Sequence, residues 1–194
     1  MKKYQVIYAD PPWSISNFLQ RKESRPNQGD LKYQKMTMEQ IVGLPVNQIS
    51  QENCCLFIWA TQKFLPQVFN VVDKWGFKYH LTLTWDKMNG LCLCGFHRRT
   101  EFLIFAYKGK LPVFPKKKTI PSLLQYSSKK LRHSQKPDEI RNLVGTFGET
   151  RIELFARQKT EGWDVWGNEI ESTASLPNPK EEEVNKFIKI LKKL

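Results

Sequence analysis

The chain has 194 residues, with 31 Lys and Arg against 19 Asp and Glu, a formal net charge of +12. With 40% hydrophobic and 26% charged residues, it is neither a disordered tail nor a set of membrane spans, and its length suits one domain with a real core. No apolar run reaches the roughly 18 residues a bilayer helix needs, no signal peptide opens the chain, and four cysteines at this length make no disulfide framework; the reading is a soluble, cytoplasmic protein with reduced thiols.

Tyr4 to Tyr8 is a short β-rich run, ended by Asp10-Pro11-Pro12 because proline donates nothing to a sheet ladder. Residues 14–35 are polar and read as a long loop. Thr37 to Gln40 has the Thr-x-x-Gln spacing of a capping box and predicts a short helix that stops near Pro45. Cys54 to Ala60 is apolar without alternation, as in a strand covered on both faces. A helix is predicted from about Gln62 to Trp75, with Leu65, Val68, Phe69 and Val72 on its buried stripe and Gly76 as C-cap. His80 to Trp85 and Glu101 to Tyr107 are strand candidates, separated by the turn-like segment DKMNGLCLCGFHRRT. Cys54, Cys55, Cys92, Cys94 and His97 lack a standard zinc spacing and read as buried thiols with no metal.

The positive charge is concentrated. Residues 108–136 hold nine Lys or Arg and no Asp or Glu, so the other 165 residues share only +3. Such clustering favours a polyanion over general solubility, although a solvated basic loop has the same composition. Lys116, Lys117 and Lys118 are candidate nucleic-acid contacts. Arg98 and Arg99 are candidates too, with pairing to Asp86 or Glu101 as the scaffolding alternative. Pro137 to Phe147 predicts a helix with proline first and Gly148 beyond its end, and Ile152 to Phe155 a short buried strand. Residues 172–179 read as a weak linker. The tail predicts a helix over 180–194, with Glu at its start, Lys at its end and Val184, Phe187, Ile188 and Leu191 on one stripe. Alternating strands and helices predict one α/β domain over 1–194, with a core over 1–171.

The sharpest feature is Ala9-Asp10-Pro11-Pro12-Trp13. A strand delivers the Asp10 carboxylate to the sheet edge where open α/β folds bind ligands. Asp10 and the Pro11 carbonyl, expected to lack a local N–H partner, can accept the two hydrogens of an exocyclic amine on a planar base. Trp13 can stack on that base. Two acceptors favour the pyramidal nitrogen whose lone pair attacks an electrophile, and the prolines hold them with little reorganisation. The plain alternative is a strand-ending turn with a buried Trp.

With its Trp ending, this segment resembles the catalytic motif of the MT-A70 family, the adenine-N6 methyltransferases typified by the seventy-kilodalton subunit of the messenger-RNA adenine methyltransferase. MTMEQIVGLPV, ENCCLFIWATQKFLPQVFNVVDKWGFKYHLTLTW, GFHRRTEFLIFAYKGK, HSQKPDEIRNLV and RIELFARQKTEGWDVWGNEI resemble the family's blocks in the family's order. The resemblance implies a Rossmann-like class I methyltransferase fold in permuted order, with a mostly parallel sheet of about seven strands. It implies S-adenosyl-L-methionine as cofactor. Asp10, Pro11, Pro12 and Trp13 then hold the target adenine, and Asp10 also touches the cofactor. Lys136 matches the lysine that pairs with the cofactor carboxylate, where it otherwise is one more charge of the basic run. Phe155 and Arg157 match the cofactor strand, with core packing as the alternative for Phe155. Asn168 and Glu169 match residues that bind the ribose hydroxyls. The short bacterial and phage members imply DNA as substrate. RNA, or an inactive nucleic-acid-binding subunit, is the alternative, and a homodimer or a second methyltransferase-like subunit is the implied partner.

Overall fold

The computed structural model describes residues 1–13, 36–93, 95–112, 119–128, 131 and 134–177. The loop expected over 14–35, Lys116, Lys117 and Lys118, and the helix expected over 180–194 lie outside those residues. In chain order the elements are β1 (Tyr4–Ala9), α1 (Met38–Val42), α2 (Val46–Ile49), β2 (Ser50–Ala60), α3 (Leu65–Lys74), β3 (Lys78–Leu93), β4 (Phe96–Lys108), β5 (Leu123–Gln125), α4 (Asp138–Gly145), β6 (Arg151–Leu154) and β7 (Asp164–Trp166).

The described strands form a seven-stranded sheet in the order β5-β3-β4-β2-β1-β6-β7. Four pairings are parallel, and the two antiparallel ones both involve β4. The chain leaves β1 towards β2 on one side, and β6 and β7 lie on the other. The order therefore reverses at β1 and β6, and a crevice opens beyond the carboxyl ends of those two strands.

Both faces of the sheet are covered, which explains the unbroken apolar run in β2. Cys54, Leu56, Ile58 and Ala60 pack on the face covered by α1, α2 and α3, together with Ile41, Val68 and Val72. Cys55, Phe57 and Trp59 point to the opposite face, against Ile140 and Val144 of α4. Burial pushes both thiols up to about 12. The capping box at Thr37 and Gln40 forms with both of its hydrogen bonds. After α3, Gly76 takes φ +82, and the Phe77 N–H returns to the Val72 carbonyl at 3.0 Å.

Four local expectations are corrected. Phe69 is on the exposed side of α3, and Val71 takes its place in the core. The segment expected as a turn is a continuation of β3 and β4 into a long hairpin, paired at Leu91–Arg98, Cys92–His97 and Leu93–Phe96. Cys92 is accordingly exposed rather than buried. Residues 172–177 are no linker: the Thr173 N–H bonds the Val165 carbonyl at 2.9 Å, and Ala174 and Leu176 join the core. No helix among the described residues is long and apolar enough to cross a membrane.

Candidate active site

β1 ends at Ala9 and hands Asp10 to the crevice, beside the end of β6. Lys136, directly before the N-cap of α4, reaches the same point from 126 residues away. Its Nζ lies 2.8 Å from Asp10 Oδ2 and 3.4 Å from Glu101 Oε2, and it stands 5.3 Å from the centre of the Trp59 ring. Lys136 is 9% exposed, Asp10 22% and Glu101 15%. Burial pulls the ammonium towards its neutral form, but the two carboxylates outweigh it and raise its pKa. Glu101 also binds Lys87 at 3.2 Å. Two acids and two lysines thus balance in one half-buried network. The left-handed backbone of Ser134, at φ +63, turns the chain so that its carbonyl also accepts from Lys136 at 3.2 Å.

Asp10 stands between two cavities. One of about 190 Å³ is lined by Asp10, Lys136, Glu153, Phe155, Arg157 and Glu169. The other, of about 120 Å³, is lined by Asp10, Pro11, Pro12, Trp13, Phe64 and Glu101, again with Lys136. A smaller recess beside the first brings in Asn168. Phe155, Asn168 and Glu169 thus lie on one side of Asp10 and Pro11 and Trp13 on the other, while Lys136 and Arg157 border both cavities and Pro12 reaches the recess as well.

The prolyl segment departs from expectation in one respect. The Pro11 carbonyl is not without a local partner: the Trp13 N–H donates to it at 2.8 Å. A carbonyl oxygen has two lone pairs, so one acceptor position remains. Trp13 is fixed by its indole N–H on the Trp59 carbonyl at 3.0 Å and by stacking on Phe64, with ring centres 5.5 Å apart. Phe155 lines the cavity and also packs on the core, meeting Trp166 edge to face with φ +62. Arg157 and Glu169 pair at 3.6 Å across the mouth.

The two hairpin arginines part company. Arg99 grips Asp86 with two hydrogen bonds of 2.6 and 2.5 Å, which hold the Asp86 carboxyl below its usual range. That is the scaffolding alternative. Arg98 is exposed.

Sequence reasoning missed the second row of the site. Glu101 carries no motif, and only its pairing opposite Trp85 brings it to Lys136. Trp59 donates to the buried Tyr8 hydroxyl at 2.7 Å. Arg141 and Glu153, at 2.8 Å, tie α4 to β6 beneath the larger cavity. No local pattern announces any of these.

A mostly parallel sheet with one reversed strand, and an acidic strand end set between two cavities at the switch point, make an α/β fold of the Rossmann-like kind, consistent with a class I methyltransferase. The comparisons carry this further: the MT-A70 family profile matches residues 4–169, and the chain belongs to that family. It is 34% identical to the Type II methyltransferase M.MunI of Mycoplasma sp, over 95% of this chain and 86% of that protein. It is 27% identical to the human N(6)-adenine-specific methyltransferase METTL4, over 87% of this chain and 38% of that protein. The N6-methyladenosine RNA methyltransferase MTA1 of Pyricularia oryzae is 26% identical, over 86% of this chain and 47% of that protein.

Proposed function

We propose that this chain transfers a methyl group from S-adenosyl-L-methionine to the 6-amino group of adenine in DNA. The observation that carries the reading is Asp10, shared by two cavities and held by Lys136. The donor set suits the cofactor. Lys136 offers a buried cation to an amino-acid carboxylate, Asn168 and Glu169 offer polar groups to a ribose diol, and Phe155 offers an apolar wall. When bound, the cofactor supplies a methyl group on a sulfonium centre that leaves as a neutral thioether.

The protein's own part is alignment and exclusion of water. Lys136 would hold the cofactor carboxylate, and Asp10, whose Oδ2 now accepts from Lys136, would accept from the adenine amine. The free lone pair of the Pro11 carbonyl takes the second amine hydrogen. Trp13, braced by Phe64, lines the wall against which an extruded base lies. After transfer, the surplus proton of the amine passes to Asp10 or to water. DNA is favoured by the nearly full-length similarity to M.MunI, a Type II methyltransferase.

The test is sequencing of methylated adenines in a host that expresses the chain, with Asp10→Ala alongside, and labelling of duplex DNA, single-stranded DNA and RNA by the purified protein. Site-specific adenine methylation lost in Asp10→Ala is expected. Labelling of RNA alone refutes the substrate, and equal labelling by Asp10→Ala refutes the role of the carboxylate.

A further inference from the structure

The β3–β4 hairpin is longer than the sheet requires. β5 pairs with β3 only over Thr84–Asp86, and β2 pairs with β4 only from Phe102 onward. Residues 87–93 and 95–100 therefore stand out as a two-stranded ribbon. β3 runs in the same direction as β1, so the ribbon rises from the sheet edge that carries Asp10.

The ribbon braces itself with one set of side chains and leaves another outside. His97 Nε2 meets the Gly90 carbonyl at 2.7 Å, and Arg99 holds Asp86. The alternate residues Phe96, Arg98 and Thr100 share the other face. Thr100 Oγ1 accepts from Gln62 Nε2 at 3.2 Å, next to Thr61, which lines the cavity of Trp13. Phe96 is four residues further out, about 13 Å at strand spacing. It is 77% exposed, the most exposed large apolar side chain among the described residues. Of the ribbon's three cations, Arg99 is paired to Asp86 and Lys87 to Glu101, and Arg98 is the exposed one.

We propose that this ribbon enters a groove of duplex DNA beside the target adenine, with Phe96 wedged against the base stack that the extruded adenine leaves and Arg98 on a phosphate. The inference rests on the DNA reading above and deepens it. Three observations point to nucleic acid. The major groove, about 12 Å wide, admits a two-stranded β-ribbon. An exposed apolar ring two residues from an exposed arginine suits a base step, which is apolar between its faces and anionic at its rim. The root of the ribbon stands at the base-side cavity: Glu101 lines it, and Thr100, on the Phe96 face, is tied to Gln62 beside Thr61 of the same lining.

The experiment uses the full chain and a duplex that carries the methylated site found by sequencing. Phe96→Ala, Phe96→Trp and Arg98→Ala are compared with wild type on that duplex, on the same duplex with the target adenine mispaired, and on the single strand. A 2-aminopurine at the target position reports extrusion. Phe96→Ala is expected to lower kcat/KM on the paired duplex about tenfold or more, to lose the fluorescence rise, and to change the mispaired and single-stranded substrates less than about twofold. Phe96→Trp restores the paired duplex. Arg98→Ala lowers the salt dependence of binding by about one phosphate contact. Cofactor binding, measured by calorimetry, stays at the wild-type value and confirms the fold.

Equal activity of Phe96→Ala and wild type on the paired duplex overturns the wedge. So does an equal loss on all three substrates, or a loss that accompanies dissociation of a dimer in sedimentation, which makes the tip an interface between two copies of this chain. Wild-type protein that labels no DNA refutes the substrate reading, and the wedge falls with it; wild-type activity with an indifferent Phe96 refutes the wedge alone.

Discussion

Replacing Lys136 by Met removes the cation that Asp10 and Glu101 share among the described residues. At an effective dielectric of 20, the ammonium attracts Asp10 at 2.8 Å by about 6 kcal/mol and Glu101 at 3.4 Å by about 5 kcal/mol. Burying the ammonium costs several kcal/mol against this. Without it, two carboxylates whose oxygens are at most about 6 Å apart repel by about 3 kcal/mol or more, with Lys87 left on Glu101. A loss of about 3 kcal/mol of stability follows, in the range for breaking a buried ion pair. For a chain of this length the melting temperature falls by about 6–12 °C. The pH dependence has a definite sign. The folded pKa of Lys136 is raised, so its stabilisation is complete below the unfolded value near 10.4 and fades as pH rises through the folded value. The stability gap between wild type and variant is therefore full at pH 8 and narrows above about pH 10.5. Cofactor binding is expected to weaken about 100-fold or more, since a carboxylate there loses its cation. Thermal unfolding across pH 8 to 11 and calorimetric titration with the cofactor check both effects. A variant as stable as wild type, a gap independent of pH, or an affinity within twofold refutes the charge network as described.

Two further substitutions probe the frame of the site. Trp59→Phe leaves the buried Tyr8 hydroxyl without its indole donor and puts a smaller phenyl ring beneath Lys136. A stability loss of about 1–3 kcal/mol is expected by urea unfolding, and an unchanged midpoint speaks against a structural role for that bond. Gly167→Ala places a β carbon 2.3 Å from the Ala156 carbonyl oxygen, so the end of β7 has to move away from β6 and takes Asn168 with it. A loss of about 1–3 kcal/mol is expected, together with cofactor affinity at least tenfold weaker; wild-type affinity excludes Asn168 from the ribose end.

The chain's local chemistry determined a good deal by itself. The capping box at Thr37, the prolines that end β1 after Ala9, the two-sided apolar run of β2 and the Pro-led α4 depend on neighbours within a turn or a strand. A periodic pattern records such neighbours directly. The family blocks identified Asp10, Lys136, Phe155, Arg157, Asn168 and Glu169, and the tertiary structure brings them around one crevice. What the structure alone decided are relations between distant segments. The hairpin was hidden because a three-residue shift in register over Asp86–Leu91, with Met88 at φ 59, breaks the alternation that marks a strand. Which arginine is a strut and which faces solvent followed from strand alternation, not from composition. Glu101 became part of the site because β4 lies antiparallel beside β2 and brings its first residues to the end of β1. The partner of a charge is set by the order of strands across a sheet, and that order is fixed only when the whole sheet closes around its two cores.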